Sequence, residues 1–499
     1  MSKKRILLCG ESTSISSGYA NYGLQIMNRL HKTNEFELGE VAAFPKNQNA
    51  HLDVPWVVYS RDKSGNLLKD PKDIFESVVY DFKPDIVWSF RDPWVDDFIG
   101  LSPFKKRYHW AYMPTIDAVP LDPHWIYAIS KADSVFTYSD WALEILRKNY
   151  PNINAISSAS PAGDDIFVVE KDKRGFKEKN GINPNCLIIG TVMRNQRRKL
   201  YPDLFDAFEM LLKQAPKEMS SRLILYVHTT YPDLGWDIPK LISERPSISN
   251  KVFFNYVCSS CSRISILNFS GSLIDCNYCK TDTCIFPTTK NGVKRESMLT
   301  VYSLMDLYVQ YSCAEGFGMP LVEAGSCGVP VCATDYSAMS DIVRKLDGYP
   351  IKVQRMFYEP ETHRTLALPD NQNFVDICIK HFEQPESIRK YKSLKISNLT
   401  KQKYNYDDVA KKLAKHFNSI PKTNSWELPK NILDVPEYEE KSSSSDFLKR
   451  ILSQIYKDDD FLFLKYLKIL NYSMANRKSV YDEVVEKINE YNNLELERK

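Results

Sequence analysis

The chain has 499 residues, of which 43% are hydrophobic and 26% are charged, and its formal net charge is +3. This length corresponds to about three domain-sized units, and the near balance of charge excludes an overall electrostatic attraction to nucleic acid or membranes. No apolar run approaches the roughly 20 residues of a membrane span, and the N-terminal Met-Ser-Lys-Lys-Arg leads into a strand without an apolar signal region. We therefore expect a soluble, cytoplasmic protein without a transmembrane segment.

The 11 cysteines fall into two groups. Five of them cluster between residues 258 and 284, and the others are scattered among apolar neighbours, where buried free thiols are expected. This distribution indicates a reducing compartment and one metal site, and it argues against a disulfide framework.

Residues 1–170 are predicted to form a first α/β domain. Helical stretches at residues 21–31, 73–81 and 141–150 alternate with apolar, strand-like runs. The predicted strands are residues 5–10, 38–44, 85–90, 108–113 and 134–138. This alternation predicts a doubly wound parallel sheet.

Three loops of this domain follow predicted strands, at the sheet edge where parallel sheets bind ligands. The first loop contains Gly18 and can bring backbone amides to a phosphate or an acceptor, although a plain connection is the alternative. The second contains Arg91, which either contacts an anionic acceptor or forms an Arg–Asp pair that braces the loop. The third contains Asp117, which can also cap the turn that follows it.

Residues 171–420 are predicted to form a second α/β domain that opens with a strand at 186–192. A basic loop, Arg194-Asn-Gln-Arg-Arg-Lys199, follows this strand and precedes an amphipathic helix at 201–214. Arginine offers a fork of donors and lysine a point charge, so such a loop suits an anion such as a diphosphate. A solvated basic surface loop is the alternative.

Two Cys-x-x-Cys pairs interrupt the second domain. Cys258-Ser-Ser-Cys261 and Cys276-Asn-Tyr-Cys279 are separated by fourteen residues. This spacing predicts a zinc ribbon over residues 256–286, in which four thiolates leave no open position, so the Zn²⁺ is structural. The fifth residue, Cys284, is a spare thiol or an alternate ligand. The ribbon either staples a long loop or docks an acceptor or partner.

A glycine loop follows a buried apolar strand at residues 305–309. Gly316 and Gly318 let the backbone approach a ligand closely, and the following helix directs its N-terminus at the loop, an arrangement that suits a phosphate. The acids Glu315 and Glu323 on either side would repel a phosphate and are expected to face hydroxyls. A tight turn with two solvated acids is the alternative.

The segment Glu315-Gly-Phe-Gly-Met-Pro-Leu-Val-Glu323-Ala, followed by Gly328-Val-Pro-Val, resembles the signature of the retaining glycosyltransferases of family 4. The resemblance implies the GT-B fold, in which two Rossmann-like domains face a cleft. It implies that Glu315 binds the donor sugar and Glu323 the ribose. It also implies that the pyrophosphate is held by amides of the loop residues Gly316, Phe317, Gly318 and Met319.

The same resemblance assigns roles to residues outside the glycine loop. Gly18 would reach the donor pyrophosphate and the acceptor, and Asp117 would face the acceptor, where it orients the hydroxyl or takes its proton. Arg194 and Lys199 would neutralise the leaving diphosphate. These cationic side chains imply a metal-independent hexosyl- or pentosyltransferase that uses a nucleotide-diphosphate sugar as donor.

The acceptor is expected to be a hydroxyl of a glycan, a protein or a lipid-linked molecule. Two alternatives stay open: hydroxylated bases in DNA, or a non-catalytic GT-B-like protein that uses its zinc ribbon for interactions. The ribbon favours nucleic acid slightly, but the near-neutral charge makes it the less favoured partner.

The last segment, residues 421–499, is predicted to contain a linker and a helical appendage. The linker is rich in proline, acids and serine, and apolar residues then recur at helical spacing. These helices either cover the main body or form an oligomer with a second chain.

Overall fold

The computed structural model describes residues 3–422 with short gaps, together with Trp426. The gaps are residues 16, 50–52, 63, 164, 271–273, 277 and 289–291. The predicted helical appendage, and any oligomer formed through it, therefore lie outside the described residues.

The first sheet is built from short apolar strands that are buried on both faces, as expected for parallel strands covered by helices. Its strands are β1 (Lys4–Glu11), β2 (Phe36–Ala43), β3 (Val57–Tyr59), β4 (Ile86–Ser89), β5 (His109–Tyr112), β6 (Ser134–Thr137) and β7 (Ala155–Ser158). Among the described residues they form one parallel sheet in the order β3-β2-β1-β4-β5-β6-β7. The predicted doubly wound arrangement is confirmed, and the sequence analysis missed only the short outer strands β3 and β7.

Helices connect these strands. They are α1 (Gly18–Thr33), α2 (Phe75–Phe82), α3 (Pro93–Leu101), α4 (Pro123–Ser130) and α5 (Asp140–Asn149). Helices α3 and α4 both begin with proline, whose fixed φ suits the first helical position. Both helices therefore begin close to the carboxyl ends of the strands that precede them, β4 and β5.

The second sheet repeats this pattern and carries an antiparallel extension. Its strands are β8 (Leu187–Val192), β9 (Leu223–His228), β10 (Val252–Cys258), β11 (Ile264–Asn268), β12 (Cys284–Ile285), β13 (Leu307–Gln310), β14 (Val331–Thr334) and β15 (Tyr349–Ile351). Over the described residues the order is β11-β10-β9-β8-β13-β14-β15, with β12 also paired to β10. The predicted ribbon is thus attached to the sheet edge, because β11 and β12 both pair antiparallel with β10.

The helices of the second half cover this sheet and then return to the first one. They are α6 (Lys173–Lys179), α7 (Tyr201–Gln214), α8 (Lys217–Arg222), α9 (Ile238–Ser243), α10 (Arg295–Ser303), α11 (Met319–Ser326), α12 (Ser337–Lys345), α13 (Asn371–Phe382), α14 (Glu386–Lys403) and α15 (Tyr406–Ser419). Helix α15 lies against the first sheet: Arg29 Nε donates to Asp407 Oδ1 at 2.6 Å, and the rings of Phe36 and Phe417 meet edge to face. No helix in the described part of the chain combines the length and apolar character needed to cross a bilayer.

A β-hairpin that the sequence analysis missed joins the two sheets. Its strands are β16 (Val353–Glu359) and β17 (Arg364–Pro369), which pair with each other and with neither sheet along their length. The backbone N–H of Thr365 donates to the carbonyl of Val119 at 2.9 Å, so the hairpin reaches from the second half onto the first. Most side chains of β16 are partly or fully exposed, and this removes the apolar periodicity that would have revealed the strand.

A buried ion pair braces the loop after β4, as the Arg–Asp alternative predicts. Arg91 Nη2 and Nε contact Asp96 Oδ1 at 2.6 and 2.9 Å, and the Arg91 backbone N–H donates to the other oxygen at 3.1 Å. Asp96 is fully buried and Arg91 is 5% exposed. Two charges persist here because each is paired and hydrogen-bonded.

Replacing Asp96 with alanine leaves a buried guanidinium without its counter-ion, so we expect the free energy of unfolding to fall by about 3–5 kcal/mol. Urea denaturation followed by circular dichroism measures the change. The matched control is Glu386→Ala, because Glu386 pairs with Lys390 on α14 at 2.9 Å with both side chains more than half exposed. That variant should change the unfolding free energy by less than about 1 kcal/mol; equal effects of the two variants would contradict the prediction.

Candidate functional site

Each sheet has a switch point, where the strand order reverses direction. It lies between β1 and β4 in the first sheet and between β8 and β13 in the second. Open parallel sheets bind ligands in the crevice outside the carboxyl ends of their strands at such points. The loops that leave these four strands therefore form the candidate site, and Gly18, Arg194, Lys199 and Glu315 lie on three of them.

Lys199 and Glu315 are brought together by the pairing of β8 with β13. Because these strands are neighbours, the loops that follow them run side by side, and the Cys313 N–H donates to the Arg198 carbonyl at 2.9 Å. The Lys199 ammonium contacts the Glu315 carboxylate, and each side chain is only 7% exposed. Two residues predicted to act on the donor thus form one buried ion pair.

The other contacts of Glu315 fix its position. Gln310 Nε2 donates to Glu315 Oε1 at 2.7 Å, and the Glu315 N–H donates to Ser337 Oγ at 3.0 Å. Burial and the neighbouring Arg198 charge lower the pKa of Lys199, whereas contact with the Glu315 carboxylate favours its charged form. The alternative of a solvated acid at position 315 is wrong, since the carboxylate is buried and paired.

Glu323 lies one turn into α11. The helix starts after Gly318, whose φ of +100° is in the left-handed region that favours glycine, and Pro320 is its second residue. Glu323 is 4% exposed and accepts from Arg295 Nη1 at 2.6 Å and from the hydroxyl of Tyr302. Its carboxylate is therefore anchored to α10, and a solvated acid is excluded here too.

The glycine loop faces the first half of the chain across a narrow gap. A Cβ atom added to Gly316 would lie 2.5 Å from Thr115 Cγ2, and one added to Gly18 would lie 3.5 Å from Met319 Sδ. Phe317, between the glycines, is 6% exposed and packs edge to face on Tyr404. The structure thus brings Gly18 and the loop 316–319 together, and glycine at 316 is required by this close approach.

Arg194 lies on the same loop as Lys199 but contacts a different group. Its guanidinium forms a two-pronged pair with Asp233, at 2.7 and 3.0 Å, and its side chain is 48% exposed. The hydrogen bonds to Asp233 raise the pKa of Arg194, and the charge of Glu11, at the end of β1, acts in the same direction. Arg194 therefore faces the first sheet from the rim of the site, while Lys199 is inside it.

Asp117 lies at the junction of the two halves. Its carboxylate accepts from Arg364 Nη1 of the hairpin at 2.6 Å, an ion pair in which both side chains are mostly buried. The sequence analysis left open that Asp117 caps the turn that follows it, but in the structure the Asp117 carboxylate forms this ion pair instead. A role toward an acceptor stays a prediction.

Two residues of the site were missed by the sequence analysis. Arg198, to which the sequence analysis assigned no role, lies 3.9 Å from Glu315 Oε2. Asp92, at the switch point after β4, lies 3.3 Å from the hydroxyl of Tyr19, which also bonds Thr115 Oγ1 at 2.6 Å. Burial raises the pKa of Asp92 to about 6, with the Asp117 charge acting in the same direction. The position of Asp92 just after a predicted strand could have indicated a site residue, as it did for the neighbouring Arg91.

The four predicted metal ligands converge. One sulfur from each of Cys258, Cys261, Cys276 and Cys279 lies within 4.8 Å of the other three, so the group can hold a metal ion. Cys284 lies beside this cluster on β12, where its backbone pairs with Cys258 and its thiol contacts Ser265 Oγ at 3.8 Å.

An aromatic cluster behind these cysteines connects the ribbon to the loop after β9. The ring of Tyr231 lies 5.9 Å from that of Phe286 and 6.2 Å from that of Phe269, and both phenylalanines directly follow ribbon strands. Within the same loop, Asp233 holds Arg194 and the Trp236 indole N–H donates to the Lys199 carbonyl at 2.7 Å.

A further pair of bonds fixes the same two loops. The Trp236 N–H donates to Asn195 Oδ1 at 2.8 Å, and Asn195 Nδ2 donates to the Trp236 carbonyl at 2.8 Å. The basic loop is therefore braced by residues 229–237, and these residues rest on the ribbon.

The part of this site that lies in the second half of the chain matches a known protein family. Residues 287–367, which include the glycine loop and both acids, match the family model described as glycosyl transferases group 1. This match supports a glycosyltransferase. No curated protein matches the sequence.

Solved structures extend the likeness to most of the chain. HepE from Anabaena, solved with UDP and glucose, matches with a TM-score of 0.58 and 14% identity over 83% of this chain and 100% of that chain. Sucrose-phosphate synthase from Thermosynechococcus elongatus gives 0.60 and 13% over 83% and 98%. WaaG, a glycosyltransferase involved in lipopolysaccharide biosynthesis, gives 0.53 and 12% over 83% and 100%. The fold is GT-B.

The raised pKa of Asp92 predicts a pH-dependent stability. Below about pH 4 the carboxyl is neutral in both folded and unfolded chains, whereas above about pH 6 the folded chain must hold a buried charge. We expect Asp92→Asn to match the wild type at about pH 4 and to exceed it by about 3 kcal/mol at about pH 8, because a shift of about two pKa units is worth that much. Urea unfolding across this pH range measures the difference.

The control is Asp97→Asn, which changes an exposed acid on α3, the helix that Asp92 directly precedes. This variant should show no stabilisation that grows with pH. A constant difference between Asp92→Asn and wild type over the whole range would show that the Asp92 carboxyl titrates normally in the folded protein.

Proposed function

We propose that this protein is a retaining glycosyltransferase of family 4, which transfers a sugar from a nucleotide-diphosphate donor to a hydroxyl acceptor. The observation that carries the proposal is the buried Lys199–Glu315 pair, at the switch point and beside the glycine loop that faces Gly18. A cation, a carboxylate and a helix N-terminus converge there. The cation and the helix N-terminus suit the diphosphate of a nucleotide sugar, and the carboxylate suits its sugar hydroxyls.

In the proposed reaction, the bond between the anomeric carbon and the diphosphate oxygen breaks, and a bond forms from that carbon to the acceptor oxygen on the same face. Negative charge develops on the departing diphosphate. The Lys199 ammonium, Arg198 and the positive end of the α11 dipole would stabilise that charge. No metal is needed for this step, because these donors are already positioned.

The two acids bind the neutral parts of the donor. Glu315 would accept hydrogen bonds from the sugar hydroxyls and share Lys199 with the diphosphate, while Glu323 would accept from the ribose. The proposed roles are supported by the fixed positions of both carboxylates, which Gln310 and Arg295 hold. The acceptor proton passes to the departing phosphate oxygen or to Asp92, whose pKa of about 6 suits a group that takes a proton near neutral pH.

Substitutions of Lys199 and Glu323 test the site. Lys199→Met keeps the side-chain stem and removes the charge, so we expect kcat/KM for the donor to fall by about 100- to 1,000-fold, as when one donor to a developing anion is lost. Glu323→Gln should chiefly raise the donor KM, by about tenfold, because it weakens bonds to the ribose. The donor is first found by thermal-shift screening of UDP-, GDP- and ADP-sugars, since bound donor stabilises the fold.

The control is Lys390→Ala, which removes a cation that is 71% exposed on α14. Its kinetics should match the wild type. Unchanged donor hydrolysis in Lys199→Met would contradict the site assignment, and the absence of both hydrolysis and stabilisation by any nucleotide sugar would favour the non-catalytic alternative. Circular dichroism of each variant separates lost function from lost folding.

We also propose that the four clustered cysteines bind one structural Zn²⁺. The Sγ atoms of Cys258 and Cys279 are 3.5 Å apart, and those of Cys261 and Cys276 are 3.6 Å apart. A tetrahedral site with Zn–S bonds of about 2.3 Å needs sulfur atoms about 3.8 Å apart, so the residues fit this ion. Four thiolates leave no position for a reacting ligand, and the role of the metal is to hold the ribbon strands together.

The ribbon would thereby position the diphosphate-binding loop. Its strands carry Phe269 and Phe286 against Tyr231, and the loop of Tyr231 holds Arg194 and the Lys199 backbone. Loss of the metal should loosen residues 229–237 without unfolding either sheet, because most side chains of the apolar clusters that cover the two sheets lie outside the ribbon.

Cys279→Ala tests both parts of this proposal. We expect about one zinc ion per chain in the wild type and a large loss in the variant, because three thiolates bind the ion much less tightly. Zinc is measured by atomic emission, and hydrogen exchange should become faster in peptides covering residues 229–237. Cys186→Ser, at a partly buried cysteine outside the cluster, is the control and should change neither readout.

Zinc-free wild-type protein would overturn the metal assignment. Zinc loss with unchanged exchange at 229–237 would instead show that the ribbon only staples its own loop.

A further inference from the structure

Two tryptophan side chains lie beside the acceptor side of the proposed site. Trp94 is the second residue of α3 and Trp125 the third of α4, so each follows the carboxyl end of a strand of the first sheet. Their ring centroids are 4.9 Å apart with planes tilted by 37°, and Trp94 is 56% exposed. Trp125 is partly buried, so the pair presents one exposed indole supported by a second, and such an aromatic surface is typical of binding sites.

The polar groups around this pair connect it to the site. Arg364 lies over the Trp125 ring at 5.7 Å and holds Asp117 at 2.6 Å. Asp92 directly precedes α3, so its carboxylate is two residues from Trp94 and within 3.3 Å of the Tyr19 hydroxyl. An aromatic surface thus continues into a group of hydroxyls and carboxylates.

The charges on this side of the gap are acidic or neutralised. Asp92 lies against the hydroxyl of Tyr19, and Arg91 is paired with the buried Asp96. Arg364 is paired with both Asp117 and Glu359. Carboxylates accept hydrogen bonds from hydroxyl groups and repel phosphates, sulfates and other carboxylates. The surface therefore suits a ligand that is rich in hydroxyls and carries no negative charge.

We propose that Trp94 and Trp125 form a stacking surface for a sugar ring of a neutral carbohydrate acceptor, whose reacting hydroxyl is directed toward Asp92. The proposal rests on the proposed glycosyltransferase function and names the acceptor class for it. The C–H groups on one face of a pyranose ring carry partial positive charge and pack on the negative face of an indole, while the hydroxyls at the ring edge bond the carboxylates.

The charged groups beside the two tryptophans favour a carbohydrate over a nucleic acid as the ligand. Proteins that stack bases on aromatic rings combine them with a positively charged groove for the phosphate backbone. Here the arginine over Trp125 is already paired with Asp117, and Asp92 lies two residues before Trp94 in the chain. A DNA strand stacked on Trp94 would bring its phosphates toward these acids.

Binding to a glycan array tests the proposal. Fluorescently labelled full-length protein is applied to neutral, sulfated and sialylated oligosaccharides, and a duplex containing 5-hydroxymethylcytosine is titrated in parallel by fluorescence anisotropy. We expect binding to at least one neutral glycan. For that glycan Trp94→Ala should weaken binding by at least about tenfold, whereas Trp94→Tyr keeps a ring and should retain most of the affinity.

The matched control is Tyr391→Ala, which removes an aromatic side chain that is 63% exposed on α14, away from the gap. It should bind the same glycan with wild-type affinity. Binding only to charged glycans or to the duplex, binding to no glycan, or equal affinity of Trp94→Ala and wild type would each overturn the proposal. Circular dichroism checks that Trp94→Ala folds.

The nucleotide-sugar screen distinguishes this outcome from failure of the proposed function. A protein that no nucleotide sugar stabilises, yet that loses neutral-glycan binding on Trp94→Ala, would be a carbohydrate-binding protein with this stacking surface. A protein that hydrolyses a nucleotide sugar but does not bind neutral glycans would be a glycosyltransferase whose acceptor belongs to another class.

Discussion

The contact between Lys199 and Glu315 is the constraint on which the site depends. Two opposite charges are held nearly out of water, and such a pair is stable only when the remaining hydrogen-bonding capacity is also satisfied. Gln310 of the second sheet donates such a bond to the Glu315 carboxylate, and Ser337, on the helix next to that sheet, fixes the Glu315 backbone by accepting from its N–H. The pairing of β8 with β13 is what makes the contact possible, because it sets two loops side by side at the point where the strand order reverses. A diphosphate that enters must share the Lys199 ammonium with Glu315, so donor binding and the orientation of the sugar hydroxyls would be coupled through one atom.

The position of this pair depends in turn on parts of the chain far away in sequence. The basic loop is fixed by Asp233 and Trp236, and their loop rests through Tyr231 on the aromatic side chains of the ribbon. Because β11 and β12 extend the edge of the second sheet, the ribbon is part of the scaffold and not an appended module. On the opposite side, the hairpin β16–β17 ties Asp117 to Arg364 and sets the spacing of the two halves. The cysteine-containing ribbon and the hairpin thus contact the same gap from two sides.

The sequence allowed the architecture and the centre of the site to be predicted, because both depend on local patterns. Apolar runs predicted the strands at both switch points, and the motif from Glu315 to Glu323 located the loop that the Gly18 segment faces. Asp92 and Arg198 were not predicted as site residues, because the groups that they contact follow other strands of the fold. Asp92 gains its raised pKa from burial beside Tyr19 and Thr115, and no pattern within ten residues of it on either side encodes that burial. The hairpin was not predicted for a different reason: its strand β16 is largely exposed and shows no alternation of apolar and polar residues.

The two halves also divide the charge of the site between them. The second half contributes Arg194, Arg198 and Lys199, whereas the side chains of the first half nearest the gap are Glu11, Asp92 and Asp117. An anionic donor would be attracted to the second half and repelled by the first, so its diphosphate has one favourable orientation. The acids of the first half are then left to a neutral, hydroxylated molecule. Burial raises the pKa of Asp92 to about 6, and the Arg198 charge across the gap opposes this shift only in part. The carboxyl therefore keeps its proton more readily than an exposed acid, which suits a group placed beside the hydroxyl of an acceptor.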